Sequence, residues 1–235
     1  LFPFSVQYES MCGRFSLGLV YGFSTRFGVP EMPELKPRYN IAPFQQVPVI
    51  VGGKAKSLKL MRWGLVPHWA KGEEFGLKLI NVRSESALEK PMFKPLLNRQ
   101  RCLVPATGFY EWQKQGPRKR PYHIRVKGQE YFAMAGIYDT WSKEGKDLVT
   151  FSILTTKANE VVAPIHDRMP VILRQEREGE WASQEVLSAD ALAEMFEPLP
   201  AVITDAYPVS DMVNDSHADH PDMIVPQRMQ QATLF

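Results

Sequence analysis

A chain of 235 residues, 44% hydrophobic and 23% charged, has the make-up of an ordinary globular protein with enough apolar material for a sizeable core. Its 28 basic and 26 acidic side chains nearly cancel to a net charge of +2, which excludes a wholesale polycation and leaves nucleic-acid binding to local clusters. Two cysteines exclude a disulfide framework and fit a reducing, cytosolic setting, and no apolar run reaches the roughly 20 residues that span a bilayer, so no membrane partner is expected.

Leu1 to Ser10 has neither a basic n-region nor an adequate apolar h-region and reads as an extension ahead of Met11. Gln46 to Val51 and Ser57 to Trp63 are β-rich runs around Gly52-Gly53-Lys54, strong hairpin punctuation. Leu103 to Lys114, Tyr122 to Val126, Tyr131 to Asp139 and Leu148 to Thr156 continue the pattern. Turn-forming Gln115-Gly116-Pro117, Lys127-Gly128-Gln129 and Lys143-Glu144-Gly145-Lys146 separate them. Arg174 to Ser183 and Ala189 to Phe196 read as helices, the second after the start signals Ser188 and Asp190. The fold class is therefore α+β, mainly antiparallel β with flanking helices. There is no repeat or long linker, and the 19 prolines are spread through the connections, which argues against a domain boundary.

The residues able to carry chemistry lie in short aromatic and polar segments. In Met11-Cys12-Gly13-Arg14-Phe15, Cys12 becomes N-terminal if everything through Met11 is lost. A terminal Cys is a 1,2-aminothiol, whose amine condenses with an aldehyde and whose thiolate then closes a thiazolidine ring. Ordinary pKa values of about 7.7 to 8.0 for the amine and about 8.5 for the thiol leave both usable near neutrality. The other reading of Cys12 is a small buried core residue. Arg38-Tyr39-Asn40-Ile41-Ala42-Pro43 and Trp63-Gly64-Leu65-Val66-Pro67-His68-Trp69 read alone as aromatic loops. Leu79 to Glu85 alternates so that Asn81, Arg83 and Glu85 share one face of an extended segment, either functional or simply solvated. In Gly108-Phe109-Tyr110-Glu111-Trp112 an acid sits within an aromatic strand, where burial makes it a proton donor near neutral pH and a wet face leaves it ordinary. Pro164-Ile165-His166-Asp167-Arg168-Met169-Pro170 offers a His that is either structural or catalytic. Cys102 reads as core.

Taken in order, these six segments resemble the SOS-response-associated peptidase (SRAP) family, from Met11 to about Pro226, ending with Pro208-Val209-Ser210 and Val213-Asn214. The resemblance implies a distorted barrel-like β core in one domain over 12–226, with 1–11 as a leader and 227–235 as a tail. It implies a monomer without cofactor that binds single-stranded DNA containing abasic sites, in the bacterial or archaeal nucleoid or a eukaryotic nucleus. It also implies roles: Cys12 as the nucleophile, Asn81 holding the sugar, Glu111 as acid/base beside the amine, and His166 assisting ring opening. Arg14, Arg83 and Arg168 match phosphate-gripping positions, and Asn40, Pro43 and Trp69 match positions along the DNA channel. Two departures stand out. Ten residues precede Met11, so Cys12 is born as an amide, and its release requires a translation start at Met11, an added remnant, or self-cleavage. Ala70 follows Trp69 where a family member carries a second Trp, which reduces the stacking platform.

Two other classes compete. A Cys-His peptidase or amidohydrolase would use Cys12 as a thiolate activated by His166 without a free amine. A non-covalent single-strand-binding module would leave Cys12 inert. His217 and His220, with Asp215, Asp219 and Asp222, read as a solvated polar loop rather than a metal site, because no second well-spaced ligand pair accompanies them.

Overall fold

The computed structural model describes residues 12–30, 34–52, 55–183 and 185–227. The extension before Cys12, Gly53-Lys54 of the first hairpin turn and the tail beyond Gln227 lie outside the described residues. The chain begins with strand β1 (Arg14–Leu17), helix α1 (Phe23–Phe27), β2 (Arg38–Ile41), β3 (Gln46–Val51) and β4 (Ser57–Trp63). It continues with β5 (Asn81–Arg83), α2 (Ser84–Glu89), α3 (Lys94–Arg99), β6 (Arg101–Ala106), β7 (Gly108–Gln115) and β8 (Arg118–Val126). Then come β9 (Phe132–Lys143), β10 (Lys146–Lys157), β11 (Arg168–Pro170), β12 (Ile172–Leu173), α4 (Glu178–Ala182), α5 (Ala189–Met195) and β13 (Thr204–Pro208).

Five of these strands form a closed circuit, β10-β4-β3-β6-β9 and back to β10, antiparallel except for the parallel pair β10 and β4. Closure gives every one of those strands two neighbours and removes the free edges that an open sheet leaves. Where β4 ends its pairing at Phe151, β5 takes over beside Ile153 to Thr155, also in parallel. A second sheet, β13-β8-β7-β1-β2, is antiparallel throughout. Its inner face meets the barrel in one core: Phe15 lies edge-on to Trp63 at 5.2 Å, and Trp63 stacks on Phe151 at 6.4 Å. The Trp63 indole N–H is not left unpaired by this burial, since it donates to Ile80 O at 2.7 Å.

The outer face of the second sheet carries Tyr110, Trp112 and Tyr207 and is covered by the segment after β13, whose Val209, Val213 and Ile224 pack on them. Asn40 Nδ2 donates to the main-chain oxygens of Asp215 at 2.8 Å and Ala218 at 2.9 Å, and Tyr207 OH donates to Ile224 O at 3.0 Å. This C-terminal strap is thereby tied down on both flanks.

The antiparallel hairpins and the barrel-like α+β core agree with the sequence reading, and three details differ. The run Leu103 to Lys114 is two strands: β6 belongs to the barrel, while β7 crosses to the other sheet. The switch falls at Thr107, whose N–H bonds Ser16 O at 2.8 Å, and at Gly108, where a Cβ would lie 2.1 Å from His123 Nε2. Both strands are buried at this junction, so no change of periodicity marks it. The extended segment 79–85 stops at Arg83, and Glu85 lies in the first turn of α2, where an acid suits the helix dipole. The stretch 174–183 is a 3₁₀ turn (Gln175–Arg177) leading into α4, whereas α5 keeps its expected start, with Ser188 Oγ accepting from Ala191 N at 3.1 Å. Helices α1 to α3 are five or six residues long, too short to show a helical period.

Candidate active site

The register of β1 on β7 pairs Arg14 with Tyr110 and Phe15 with Phe109, so the residues ahead of β1 run alongside Glu111. Cys12 N–H accordingly donates to Glu111 Oε1 at 2.5 Å. From the opposite side, β5 presents Asn81, held beside Ile153 of β10, and Asn81 Nδ2 reaches Cys12 O at 3.4 Å. Cys12 thus sits where the two sheets meet, its main chain gripped on both sides. It is fully buried and adopts φ +45°, a left-handed conformation that costs an L-residue roughly 1–2 kcal/mol.

Burial dominates the electrostatics. It pushes the Glu111 carboxyl up to about 8, with the Asp167 charge adding to the rise and the N–H groups of Cys12 and Trp112 opposing it. Near neutrality Glu111 is therefore largely a neutral acid. Burial also raises the Cys12 thiol well above its usual range, helped by Glu111, so no thiolate stands ready.

His166 lies just before β11. Its Nδ1 is 3.1 Å from the Arg168 N–H and 3.0 Å from Asp167 Oδ1, two neighbours that demand opposite protonation states. Burial first, then Lys114 and Lys119, lower its proton affinity, while Asp167 and the Arg168 N–H raise it. The net direction favours the neutral ring, in which Nδ1 accepts from Arg168 and Nε2 carries the proton. Because the Asp167 charge is felt at both Glu111 and His166, the three form one electrostatic group.

The six residues matched to DNA contacts are differently employed. Arg83 is exposed and follows Asn81 on the same face of β5. Arg168 is buried, and its guanidinium makes a bidentate pair with Glu85 at 2.7 and 2.8 Å plus a bond to Thr155 O at 2.6 Å. That pairing holds the Glu85 carboxyl down at about 2. Arg14 points to the outer face and donates to Val213 O at 2.9 Å, while Asn40 is 1% exposed and bonds the strap. Pro43 is half-buried in the turn from β2 to β3. Trp69 is 51% exposed and meets Phe75 edge-on at 5.2 Å. Its loop is pinned on either side: buried Asp139 accepts from His68 N at 2.8 Å, and Ala70 O accepts from Trp141 Nε1 at 2.7 Å. The fold therefore brings Cys12, Asn81 and Glu111 together, sets His166 in their electrostatic reach, and holds Arg14, Asn40 and Trp69 on other elements.

Sequence reasoning gave no role to Asp167, to Glu85 as the partner of Arg168, or to His123. The His123 ring spans from Ser16 Oγ at 3.0 Å to Tyr207 OH at 2.9 Å, and burial brings it down to about 3, so it is neutral. Its signal was present in Pro121-Tyr122-His123-Ile124, a polar ring inside an apolar strand. Cys102 is buried core as expected. His217 and His220 each bond a neighbouring carboxylate in their own exposed turn, at 3.3 Å to Asp215 and Asp222.

Residues 11–216 match the family model described as SOS response associated peptidase (SRAP). The abasic site processing protein YoqW of Bacillus subtilis is 42% identical over 222 residues, covering 91% of this chain and 99% of that relative. The abasic site processing protein YedK of Escherichia coli is 36% identical over 192 residues, covering 77% and 83%. HMCES of Gallus gallus, carrying the same description, is 34% identical over 264 residues, covering 92% and 78%. Among solved structures, a Bacteroides thetaiotaomicron protein superposes with a TM-score of 0.82 at 30% identity, covering 92% of this chain and all (100%) of its own. With the family model spanning most of its length and relatives this similar along nearly the whole chain, the protein belongs to the SRAP family.

Proposed function

We propose that this chain processes abasic sites in single-stranded DNA by capturing the ring-opened sugar covalently through Cys12, once Cys12 is the first residue. The observation that carries the reading is the contact of the Cys12 nitrogen with Glu111 Oε1 at 2.5 Å inside a buried site. An acid with a proton affinity near neutrality, touching the very nitrogen that must react, suits general acid/base work on that nitrogen. The amine adds to the aldehyde carbon C1′ of the open sugar, and the resulting carbinolamine loses water, with Glu111 supplying and recovering the proton. Cys12 Sγ then adds to the same carbon, its proton passing to nitrogen, and a thiazolidine closes. The raised thiol fits this order, with nitrogen first and sulfur second, better than a standing thiolate of a Cys-His peptidase.

Release of the preceding residues uses the same groups. Cys12 Sγ adds to the Met11 carbonyl carbon, the C–N bond breaks, and the nitrogen takes a proton from Glu111, which regains one from the Cys12 thiol as the thioester forms. Water then hydrolyses the thioester, so that the net change is cleavage of one peptide bond. The left-handed backbone at Cys12 favours this step, because its strain vanishes when the bond is cut. Asn81 holds the Cys12 carbonyl and the sugar, and His166 Nε2–H assists ring opening. Arg83, Arg14 and Arg168 serve the phosphates, and Asn40, Pro43 and Trp69 line the path of the strand.

The test is an abasic oligonucleotide incubated with protein and resolved in SDS. Wild type gives an adduct whose mass is the sum of protein and DNA less one water, with the protein portion starting at Cys12. Cys12→Ala gives none while retaining non-covalent binding within a few-fold. A full adduct in that variant overturns the assignment of the nucleophile.

A further inference from the structure

In the loop after β4, Pro67 to Ala70 form a β-turn closed by the Ala70 N–H on Pro67 O at 2.9 Å, with His68 and Trp69 at its tip. The turn is fixed from beneath. Val66 N–H donates to Thr150 Oγ1 at 2.8 Å, His68 N–H to Asp139 Oδ2 at 2.8 Å, and Trp141 Nε1 to Ala70 O at 2.7 Å. Both tip side chains nevertheless stay in solvent, the His68 side chain 66% exposed and Trp69 51%. The chain has five tryptophans, and four spend their indole N–H inside the fold, on Ile80 O, Asn214 Oδ1, Ala70 O and Cys102 O. Trp69 makes no such bond among the described residues, and Phe75 backs its ring edge-on at 5.2 Å.

The imidazole beside it is oriented by a buried carboxylate. Asp139 on β9, 4% exposed, meets His68 Nδ1 through Oδ2 at 2.9 Å, and its Oδ1 accepts from Thr140 N–H at 2.8 Å and Gln100 Nε2 at 3.2 Å. With donors on both oxygens, the carboxylate takes the Nδ1 proton as well. A neutral ring held this way keeps its lone pair on Nε2, the nitrogen left on the exposed side. One rigid turn thus offers an aromatic face and a hydrogen-bond acceptor side by side. An unpaired nucleobase matches both, with a π-face to stack and, on adenine, cytosine and guanine, an exocyclic amine to donate.

We propose that the Pro67–Ala70 turn is a nucleobase-reading site, in which Trp69 stacks on one unpaired base of the bound strand and His68 Nε2 accepts a hydrogen bond from the exocyclic amine of that base. This rests on the reading of the chain as a single-stranded DNA protein that processes abasic sites. Stacking by itself tolerates any base, because every base has a π-face, and the edge contact adds the choice. Thymine offers only a ring N–H set between two carbonyls, whose oxygens repel the Nε2 lone pair. A strand therefore binds best when an amine-bearing base lies at this turn. His68 selects the base, and Trp69 supplies most of the affinity.

The test measures binding of two undamaged single strands of about 8 nucleotides, one a tract of adenine and the other a tract of purine lacking the 6-amino group. It is run at about pH 8, where a free imidazole is neutral. The quantity read is the adenine-to-purine affinity ratio of wild type divided by that of His68→Ala, which cancels any difference between the free strands. It should be about 2 to 10, the worth of one neutral hydrogen bond. His68→Ala should weaken adenine binding and spare the purine tract, whereas Trp69→Ala should weaken both tracts alike, by about fivefold or more. A quotient of one overturns the site, whether because His68→Ala weakens both tracts equally, as a backbone contact would, or because it weakens neither. Failure of wild type to bind either tract overturns it too. The two readings are separable: normal adducts with abasic DNA and a quotient of one lose the base site and keep the abasic-site reading. The expected quotient without any adduct does the reverse.

Discussion

Replacing Glu111 by Gln removes a titration that the fold itself should report. The carboxyl stands at about 8 in the folded chain against an ordinary 4.5, so between those pH values the folded protein holds a proton that the unfolded chain has released. A raised value of this kind contributes stability that is complete below about pH 4.5 and is lost as pH rises through about 8. At 1.36 kcal/mol per pH unit the full interval corresponds to roughly 5 kcal/mol, which is an upper bound for a group this buried. Urea unfolding followed from pH 5 to pH 9 should therefore show wild type losing about 2–5 kcal/mol more than Glu111→Gln, whose isosteric amide keeps the Cys12 N–H partner without the charge. In a chain that starts at Cys12, the α-ammonium faces the same carboxylate and holds it ionised, so the downward slope between pH 5 and 7 should disappear. Parallel stability profiles for wild type and Glu111→Gln in the uncleaved chain would refute the buried-acid assignment, and with it the role of Glu111 as proton donor to the leaving nitrogen.

Glu85→Gln should leave the buried Arg168 guanidinium with a weaker partner and cost about 1–3 kcal/mol in urea unfolding at neutral pH. Because the Glu85 carboxyl is held down at about 2, this contribution is present above about pH 4.5 and lost as pH falls towards 2, so the variant should lose less stability on acidification than wild type; an equal loss would sink the pairing as a source of stability. Gly108→Ala drives a methyl to within 2.1 Å of His123 Nε2 and should lower stability by about 1–3 kcal/mol or more, with a unchanged melting temperature arguing that the Ser16-His123-Tyr207 chain is loose.

What could be read from the residues alone was set by how local the signal was. The hairpins of β3 with β4 and β9 with β10 announced themselves through alternating runs around Gly-rich turns, and at the second turn Glu144 and Gly145 both take positive φ. The break between β6 and β7 was hidden, because a strand that leaves one sheet for another without surfacing stays apolar throughout. The same distinction governs the site. Cys12, Glu111 and Asn81 stood out by chemical type or by family resemblance, but their meeting depends on contacts 99 and 69 residues apart along the chain. The bidentate partner of Arg168 was hidden, because nothing in a linear string shows that Glu85, 83 residues earlier, returns to its guanidinium.

The C-terminal strap is held largely by its main chain. Asn40 takes the carbonyls of Asp215 and Ala218, Arg14 that of Val213 and Tyr207 that of Ile224, while Gln227 N–H returns to Pro208 O. Such a grip is indifferent to the side chains at those positions, so much of the instruction for the strap's path is stored in the second sheet, with Asn214 and Asp219 as the strap's own polar anchors to Trp112 and to Arg38 and Tyr39. Substitutions at 215 to 218 should consequently drift freely among relatives, and the buried knobs Val209, Val213 and Met223 should keep their bulk. Grafting a foreign peptide of equal length between those knobs, with Asn214 and Asp219 kept, then becomes a practical way to decorate the outer sheet while leaving in place the opposite face, where Cys12 and Glu111 meet.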